Sequence, residues 1–346
     1  MVSGSPKYPR DTRGRSLRDL RISVIDRCNF RCPYCMPAEL FTEDYQFIAK
    51  ELRLSAEEIE RLARVFVALG VEKLRITGGE PLLRPDIAEI VQRLSAIPGL
   101  ADLALTTNAV LLAVQAEALA SAGLQRITVS LDSVDEAVFA RMSGGRADLG
   151  RVLEGIEAAA EAGLSPIKIN AVVQRGVNDD GVLDLLEYFR GTGHIVRFIE
   201  YMDVGNRNGW LLDEVVPSGE LVQRIGARWP ISPVGAQYPG EVARRFVFDD
   251  GLGEIGFISS VTQPFCGGCN RARLSSDGVL YTCLFATRGT DLRTVLRSGA
   301  GSDELTDLVA ALWRARDDRY SELRSQAAAQ QDEADSKKVE MYRIGG

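Results

Sequence analysis

The sequence contains little histidine, no long apolar run and no excess of positive charge. Its 346 residues include a single histidine, His194, which we expect to be structural because it opens a predicted strand, away from the end that carries polar residues. No stretch approaches ~18 uninterrupted apolar residues, and the N-terminus lacks the apolar run of a signal peptide, so we expect a soluble, cytoplasmic protein. The formal net charge of -7 argues against a nucleic-acid coat or a basic membrane-surface protein. Any polyanionic ligand therefore needs a local basic cluster.

The six cysteines fall into two triplets, with none left over: Cys28, Cys32 and Cys35, then Cys266, Cys269 and Cys283. Cytosolic thiols stay reduced, so grouped cysteines indicate metal ligands or catalytic groups more often than disulfides. The spacing Cys-x3-Cys-x2-Cys suits an iron–sulfur cluster. If each triplet holds three irons of a 4Fe-4S cluster, one iron in each has no protein cysteine, which is typical of a catalytic or ligand-binding site.

Three alternatives for the cysteines remain open, and we rank them lower. One shared zinc site is possible, but structural zinc takes about four ligands, and two such sites would need more than six cysteines and one histidine. The cysteines could also be inert core residues, although the first triplet is too closely spaced and too polar in context for that. Three disulfides fit neither the compartment nor the size of the core.

The chain from about Leu20 to Met202 alternates short β-branched runs with helical patterns, which predicts six βα units and a partial TIM-type barrel. A capping box at Ser55 and Glu58 begins the first helix, and further helices are predicted near 84–97, 111–122, 149–162 and 180–190. After Met202 we predict a helix capped by Ser218, strands at 242–249 and 254–260, a hairpin turning at Asp277-Gly278 and a helix at 303–325. The predicted units are a flexible segment 1–13, the barrel 14–210, an extension 211–330 that carries the second triplet, and a tail 331–346 ending in Gly-Gly.

Polar residues follow five of the six predicted strands at the ends where barrel enzymes place their chemistry. They are the stretch from Asp26 to Cys35 and the segments "TGGEP" (77–81), "TTN" (106–108), "SLDS" (130–133) and "EYMD" (200–203). Packing alone does not explain this repetition.

The first triplet, with an aromatic residue before its last cysteine and "TGGEP" after the next strand, resembles the radical S-adenosylmethionine superfamily. The stretches "LRISVIDRCNFRCPYCMP", "KLRITGGEPLLR" and "FCGGCNRARLSSDGVLYTCLF", with the terminal Gly-Gly, narrow the resemblance to the GTP 3',8-cyclase family of molybdenum cofactor biosynthesis. The resemblance implies a lyase with two 4Fe-4S clusters and S-adenosylmethionine. An adenosyl radical takes a hydrogen from C3' of the GTP ribose, and the ribose then attacks C8 of guanine, giving 3',8-cyclo-7,8-dihydroguanosine 5'-triphosphate.

The resemblance also implies roles for individual residues. The first triplet would hold the S-adenosylmethionine cluster, and the second triplet a cluster whose open iron meets the base. The cofactor would be lined by Tyr34, Gly79, Ser130 and Met202. The GTP contacts would be Arg21, Arg75, Thr106, Lys168, Arg271 and Arg273. A homodimer, an electron donor and a downstream cyclic pyranopterin monophosphate synthase are implied as partners, and the Gly-Gly tail would reach into the active site.

The implied triphosphate contacts are chemically sensible, because guanidinium forks and ammonium groups bind phosphates, although any one such residue is more often a surface charge. We expect these basic residues at strand ends or loops. Arg271 and Arg273 alternate along a strand and should share one face. Ala109 departs from the glycine usual in the family, so we expect a backbone that avoids positive φ there and altered geometry around Thr106. Two rival functions remain: another two-cluster radical enzyme, such as a peptide maturase, and a zinc-stapled binding protein without catalysis.

Overall fold

The structure is a computed structural model that describes residues 8–324 and 338–345. Most of the predicted flexible N-terminal segment, residues 331–337 of the predicted tail and Gly346 of the Gly-Gly pair lie outside the described residues. No helix among the described residues combines the length and apolar character needed to cross a membrane.

The described residues contain strands β1 (Asp19–Ser23), β2 (Lys73–Thr77), β3 (Asp102–Thr107), β4 (Arg126–Ser130), β5 (Lys168–Val173), β6 (Ile195–Glu200), β7 (Ile231–Val234), β8 (Arg244–Phe248), β9 (Glu254–Ile258), β10 (Arg271–Leu274), β11 (Val279–Tyr281) and β12 (Thr290–Asp291). They also contain helices α1 (Ala56–Ala68), α2 (Ile87–Ser95), α3 (Ala116–Ser121), α4 (Glu136–Ser143), α5 (Leu149–Glu161), α6 (Val182–Phe189), α7 (Ser218–Arg228), α8 (Leu292–Arg297), α9 (Ser302–Arg314) and α10 (Met341–Ile344).

The strands form one open sheet in the order β12-β11-β10-β1-β2-β3-β4-β5-β6-β9-β8-β7. The pairs from β10–β1 through β6–β9 are parallel, whereas β10–β11, β11–β12, β8–β9 and β7–β8 are antiparallel. The six predicted βα strands are confirmed as β1 to β6, and the barrel is partial, as expected. The extension continues the same sheet, because β9 and β10 pair directly with β6 and β1.

Side chains alternate between the two faces of the parallel strands. Leu20 and Ile22 of β1 are fully buried in the main hydrophobic core with the apolar stripe of α1, which includes Ile59, Leu62 and Phe66. Arg21 alternates with them on the opposite face and lies in register with Arg75 of β2 and Arg273 of β10. One face of the sheet therefore supplies the core, and the other supplies basic side chains to the barrel interior.

Several local predictions are confirmed and others are wrong. The capping box at Ser55 is present, and the chain turns at Asp277-Gly278 between β10 and β11. Ser218 is not an N-cap: it is the first residue of α7, and its backbone N and hydroxyl donate to the Glu200 carboxylate at 2.9 and 3.0 Å. The predicted 303–325 helix is interrupted: α9 ends at Arg314, and the chain is helical again from residue 320 to 324. Residue 325 lies outside the described residues. Helix α4, which no prediction included, begins at Glu136 and is capped by Asp135, whose side chain accepts from the Val138 N–H.

Candidate active site

A cavity of about 770 Å³ runs through the barrel interior. Its wall includes Asp19 and Lys73 from the first positions of β1 and β2, and also Met202 beyond the last residue of β6. The cavity therefore extends from the amino ends of the strands to their carboxyl ends. Sequence reasoning placed the basic residues at strand ends or loops, but Arg21 and Arg75 lie in the middle of their strands.

The first cysteine triplet lies on the loop after β1, and each of its cysteines is half-buried. The N–H groups of Cys35 and Met36 both donate to the Cys32 carbonyl, at 3.0 and 2.8 Å, which folds the loop into a tight turn. The Arg31 guanidinium holds this turn from inside by donating to the Cys28 and Phe30 carbonyls, both at 2.8 Å. Burial and then the charge of Asp132 raise the pKa of the Cys32 thiol, and Cys28 and Cys35 raise it further. The three sulfurs are therefore close enough to influence one another electrostatically.

The "TGGEP" loop lies directly against the cysteine loop. The Gly79 N–H donates to the Ile25 carbonyl at 2.7 Å, and the Glu80 N–H to the Arg27 carbonyl at 2.8 Å. A Cβ on Gly79 would lie 2.2 Å from the Arg27 carbonyl oxygen, so only glycine permits this approach. The sequence therefore requires glycine here because two backbones meet.

Glu80 connects this loop to the "TTN" loop. Its buried carboxylate accepts from the Thr107 hydroxyl and the Asn108 N–H, both at 2.7 Å, and from the Leu82 N–H at 3.0 Å. Burial raises the pKa of Glu80 to about 7, although these hydrogen bonds oppose the shift. The Asn108 amide then donates to Asn29 Oδ1 at 2.7 Å, so three strand-end loops form one hydrogen-bonded unit.

The expectation that Ala109 avoids positive φ is wrong. Ala109 is fully buried and has φ of 64°. Its N–H donates to the Thr107 hydroxyl at 2.9 Å, and a Cβ on Gly155 would lie 2.4 Å from its carbonyl oxygen. Close packing against α5 thus imposes the left-handed backbone, despite the steric cost to a residue with a Cβ.

Tyr34 and Met202, two of the four expected cofactor contacts, line the cavity, whereas Gly79 and Ser130 are not part of its wall. The Tyr34 hydroxyl donates to Asp132 Oδ2 at 2.8 Å, and the Val172 N–H donates to Oδ1 of the same carboxylate at 2.8 Å. Burial raises the pKa of Asp132 to about 6. The tyrosine ring is therefore fixed from its hydroxyl end.

The C-terminal segment packs over the first triplet. Met341 contacts the cluster formed by Tyr34, Met142 and Tyr201, and Tyr342 packs edge-on against Phe41 with ring centroids 5.1 Å apart. Arg273 donates to the Gly345 carbonyl, and to the Ile344 carbonyl at 3.3 Å. The segment that precedes Gly346 thus runs between the cysteine loop and β10.

The second triplet lines the cavity with all three of its cysteines. The Cys269 N–H donates to the Cys266 carbonyl at 3.1 Å, and Arg271 Nη2 lies 3.4 Å from Cys269 Sγ. Burial alone would raise the pKa of Cys269, but Arg271 and Arg316 lower it to about 6 because they favour the thiolate. Burial raises the pKa of Cys283 to about 11. Within residues 8–324 and 338–345, no group of three or more His, Cys, Asp or Glu side chains is arranged so that it could hold one metal ion.

Basic side chains from β10, β1, β2, β5 and β6 meet on the cavity side of the sheet. Arg75 donates through Nη1 to the hydroxyls of Thr106 and Thr128, at 3.0 and 3.1 Å. Burial, and then the charge of Arg197, lowers the pKa of Lys168 to about 7. Arg21 Nε and Arg75 Nε are buried and have no hydrogen-bond partner among the described residues. Like charges buried together are costly unless an anion lies among them, so this wall suits a polyanion.

Two basic wall residues, Lys73 and Arg197, were missed by sequence reasoning. Burial, followed by the charge of Arg75, lowers the pKa of Lys73 to about 8. Arg197 donates through Nε to Asn170 Oδ1 at 2.9 Å. The signal was present in both cases: Lys73 precedes Arg75 by two positions, and Arg197 interrupts an apolar strand on the same face. Lys168 is not part of the cavity wall, but it is in register with Thr128, whose hydroxyl accepts from Arg75. His194 lies apart from the cavity, against Phe189.

The chain resembles known proteins along almost its whole length. Residues 22–189 match the Radical SAM superfamily, and residues 194–322 match Molybdenum Cofactor Synthesis C. A GTP 3',8-cyclase of Xanthomonas campestris pv. campestris is 56% identical over 337 residues, covering 97% of each chain. The GTP 3',8-cyclase of Acidothermus cellulolyticus is 51% identical, covering 97% of this chain and 99% of the other. Among solved structures, Streptococcus suis SuiB bound to S-adenosylmethionine has a TM-score of 0.59 at 15% identity, over 84% of this chain and 67% of the other, a likeness of fold.

Proposed function

The chain belongs to the GTP 3',8-cyclase family of the radical S-adenosylmethionine superfamily, and we propose which of its residues carry the conversion of GTP to 3',8-cyclo-7,8-dihydroguanosine 5'-triphosphate. This lyase reaction is the first step of molybdenum cofactor biosynthesis. One observation carries the residue assignment: the second cysteine triplet and a wall of buried basic side chains line a single cavity that also reaches Tyr34.

The two cysteine triplets fit the two 4Fe-4S clusters of the family. Cys28, Cys32 and Cys35 would hold the cluster that binds S-adenosylmethionine, and the Phe30 N–H already donates to Cys28 Sγ at 3.3 Å, as is common for cluster sulfurs. Cys266, Cys269 and Cys283 would hold the second cluster. When bound, the first cluster with S-adenosylmethionine supplies radical chemistry, and the second supplies an open iron position for the guanine base.

The residues around the first triplet would orient the cofactor. Gly79 would let the "TGGEP" loop approach the methionine end, because its missing Cβ allows this loop to lie against the cysteine loop. Tyr34, held by Asp132, and Met202 would contact the adenosyl part, and Ser130 would contribute a hydroxyl at the end of β4. Tyr34 is buried and Met202 and Ser130 are half-buried, so together they would limit the access of water to the reacting ribose.

The basic wall would bind the triphosphate. Arg21, Arg75 and Arg273, together with Lys73 and Arg197, present forks and ammonium groups that suit phosphate oxygens. Lys168 lies next to this wall, in register with Thr128, and would add its ammonium group. Thr106 is already within hydrogen-bond distance of Arg75 and would share the same phosphate. Arg271, whose Nη2 is 3.4 Å from Cys269 Sγ, would contact GTP between the triphosphate and the base. Binding the triphosphate here would place the ribose between the two triplets.

An anaerobic assay with dithionite, S-adenosylmethionine and GTP tests the assignment. The informative variant is Arg21→Met, because Arg271 and Arg273 also contact Cys269 and the C-terminal segment. Losing one guanidinium–phosphate pair should weaken GTP binding roughly 10- to 100-fold while both clusters are retained. Arg228→Met, which removes an exposed arginine paired with Glu187, is the matched control.

The alternatives make different predictions in the same experiment. Formation of 5'-deoxyadenosine without a cyclic GTP product would favour a peptide maturase. Purified protein with zinc and no iron, where two clusters predict about eight irons per chain, would favour the zinc-stapled binding protein. A homodimer, an electron donor, transfer of product to a cyclic pyranopterin monophosphate synthase and a cytoplasmic location are further expectations of this proposal, and sedimentation analysis tests the first of them.

A further inference from the structure

A buried charge cluster lies behind the second cysteine triplet, and its members are Asp11, Arg15 and Arg316. Asp11 Oδ2 accepts from Arg15 Nε at 2.6 Å and from Arg316 Nη1 at 3.1 Å. The side chains of Asp11, Arg15 and Arg316 are 0%, 3% and 1% exposed. One carboxylate thus fixes two guanidinium groups that come from opposite ends of the chain.

Each guanidinium of this cluster also donates to the backbone of the second triplet. Arg15 Nη1 donates to the Cys266 carbonyl at 2.8 Å. Arg316 Nη1 donates to the Cys269 carbonyl at 2.9 Å. Arg316 Nε donates to the Thr282 carbonyl, immediately before Cys283, at 3.0 Å. All three ligand positions are therefore tied to one carboxylate through two side chains.

We propose that Asp11 is a positioning residue for the second cluster: through Arg15 and Arg316, it holds the backbone of Cys266, Cys269 and Cys283 at the spacing that the cluster requires. The proposal rests on the proposed function, because it takes these three cysteines as ligands. Asp11 acts through the arginines and does not itself contact the cysteines in any described hydrogen bond.

The chemistry of the cluster supports a positioning role over a general structural one. Arginine has a rigid planar fork, so two of its N–H groups can bind the carboxylate and a carbonyl in fixed relative directions, which lysine cannot do. The indole N–H of Trp313 donates to the Arg15 carbonyl at 3.0 Å, so the arginine is also held from its backbone. Arg15 Nη1 and Arg316 Nε also donate to the carbonyl and the carboxylate of Asp318, at 2.8 and 3.2 Å. The same two guanidinium groups nevertheless reach all three ligand positions, which a plain structural ion pair has no reason to do.

The test uses the full-length chain in two backgrounds, each able to form one cluster. In the first background, Cys28, Cys32 and Cys35 are replaced by alanine, so that only the second triplet can bind iron. In the second, Cys266, Cys269 and Cys283 are replaced. Each protein is reconstituted anaerobically with ferrous iron and sulfide, and the iron retained is measured against increasing chelator concentration.

We expect Asp11→Asn to make the second cluster roughly 10- to 100-fold easier to remove, since residues that orient metal ligands typically have effects of this size. The first cluster, in the other background, should be retained as in the parent. Equal loss from both triplets would assign Asp11 to general folding and overturn the proposal. Unchanged retention by the second triplet would overturn it as well.

A second variant keeps the test decisive if Asp11→Asn does not fold. Arg316→Lys preserves the charge next to Asp11 but loses the fork that reaches the Cys269 and Thr282 carbonyls, so it too should release the second cluster selectively. Retention by this variant at the parent level would contradict the positioning role. If the parent second triplet binds no iron at all, the ligand assignment and the proposed function fail together, which distinguishes that outcome from failure of the Asp11 role alone.

Discussion

The carboxylate of Glu200 offers a sharp test of how the end of β6 is held. Glu200 is the last residue of β6 and is buried. Its Oε1 accepts from the Ser218 N–H at 2.9 Å, the Ser218 hydroxyl at 3.0 Å and the Thr262 hydroxyl at 2.5 Å. Its Oε2 accepts from the Val261 and Thr262 N–H groups at 2.9 and 2.8 Å. This one side chain joins the start of α7 to the segment that leads from β9 to the second cysteine triplet.

Replacing Glu200 by glutamine preserves the shape but turns one oxygen into a donor. If the amide nitrogen takes the Oε2 position, two backbone N–H groups lose their acceptor, each at a cost of about 1–3 kcal/mol. If the amide nitrogen takes the Oε1 position, only the Ser218 N–H loses its acceptor, because the Ser218 and Thr262 hydroxyls can rotate and accept from the amide. The remaining hydrogen bonds also weaken when the charge is removed. We therefore expect Glu200→Gln to lower the free energy of unfolding by about 2–4 kcal/mol.

Urea unfolding of the cluster-free chain, followed by far-ultraviolet circular dichroism, measures this change. Glu117→Gln, at an exposed position of α3, is the control and should stay within about 0.5 kcal/mol of the parent. A loss below about 1 kcal/mol in Glu200→Gln, or a similar loss in both variants, would refute the hydrogen-bond accounting.

Two further predictions concern the backbone at Ala109 and the charge of Lys168. Ala109→Gly should change the free energy of unfolding by less than about 1 kcal/mol, because relief of the left-handed backbone, about 1–2 kcal/mol, offsets the lost methyl group and the added chain freedom. Ala104→Gly in β3, the control, should lower the free energy of unfolding by more. Equal losses in the two variants, measured by urea unfolding, would contradict this account. The pKa of Lys168 is lowered to about 7 by burial and neighbouring arginines, so GTP binding at pH 8 should take up protons and weaken as pH rises further, since phosphate requires the charged lysine. Calorimetry in buffers of different ionisation enthalpy should find that Lys168→Met takes up fewer protons on binding GTP than the parent, whereas Lys50→Met takes up as many as the parent. GTP binding by the parent that does not depend on pH would count against a phosphate near Lys168.

The parts of the fold that follow a regular period could be predicted from the sequence. The strands β1 to β6 and helix α1 show clear alternation or a capping signal, and the structure confirms them. Helix α4 was missed because its eight residues bury only Phe139, Met142 and Ser143, too few to establish a period. Ser218 was misread because its partner, Glu200, is distant in sequence, and no local pattern reveals such a bond.

The candidate site was predictable where motifs are local and not where it depends on register. The cysteine spacings, "TGGEP" and the Arg271/Arg273 alternation could be read directly from the chain. Arg197 joins the wall through its register with Asn170 on β5. Lys73 was overlooked although it lies on the same strand and face as Arg75, two positions before it. Likewise, the backbone at Ala109 is set by its contact with Gly155, which lies 46 residues further along the chain and on another element.

The pairing of β10 with β1 and of β9 with β6 has a consequence for how the chain is made. On the ribosome, β1 emerges about 250 residues before β10, so its outer edge has no partner until most of the chain has been synthesised. An unpaired edge of a parallel strand is a template for association with other chains. A product truncated near residue 210 would therefore expose two such edges, and nascent chains should depend on chaperones until the last third of the polypeptide has joined the sheet.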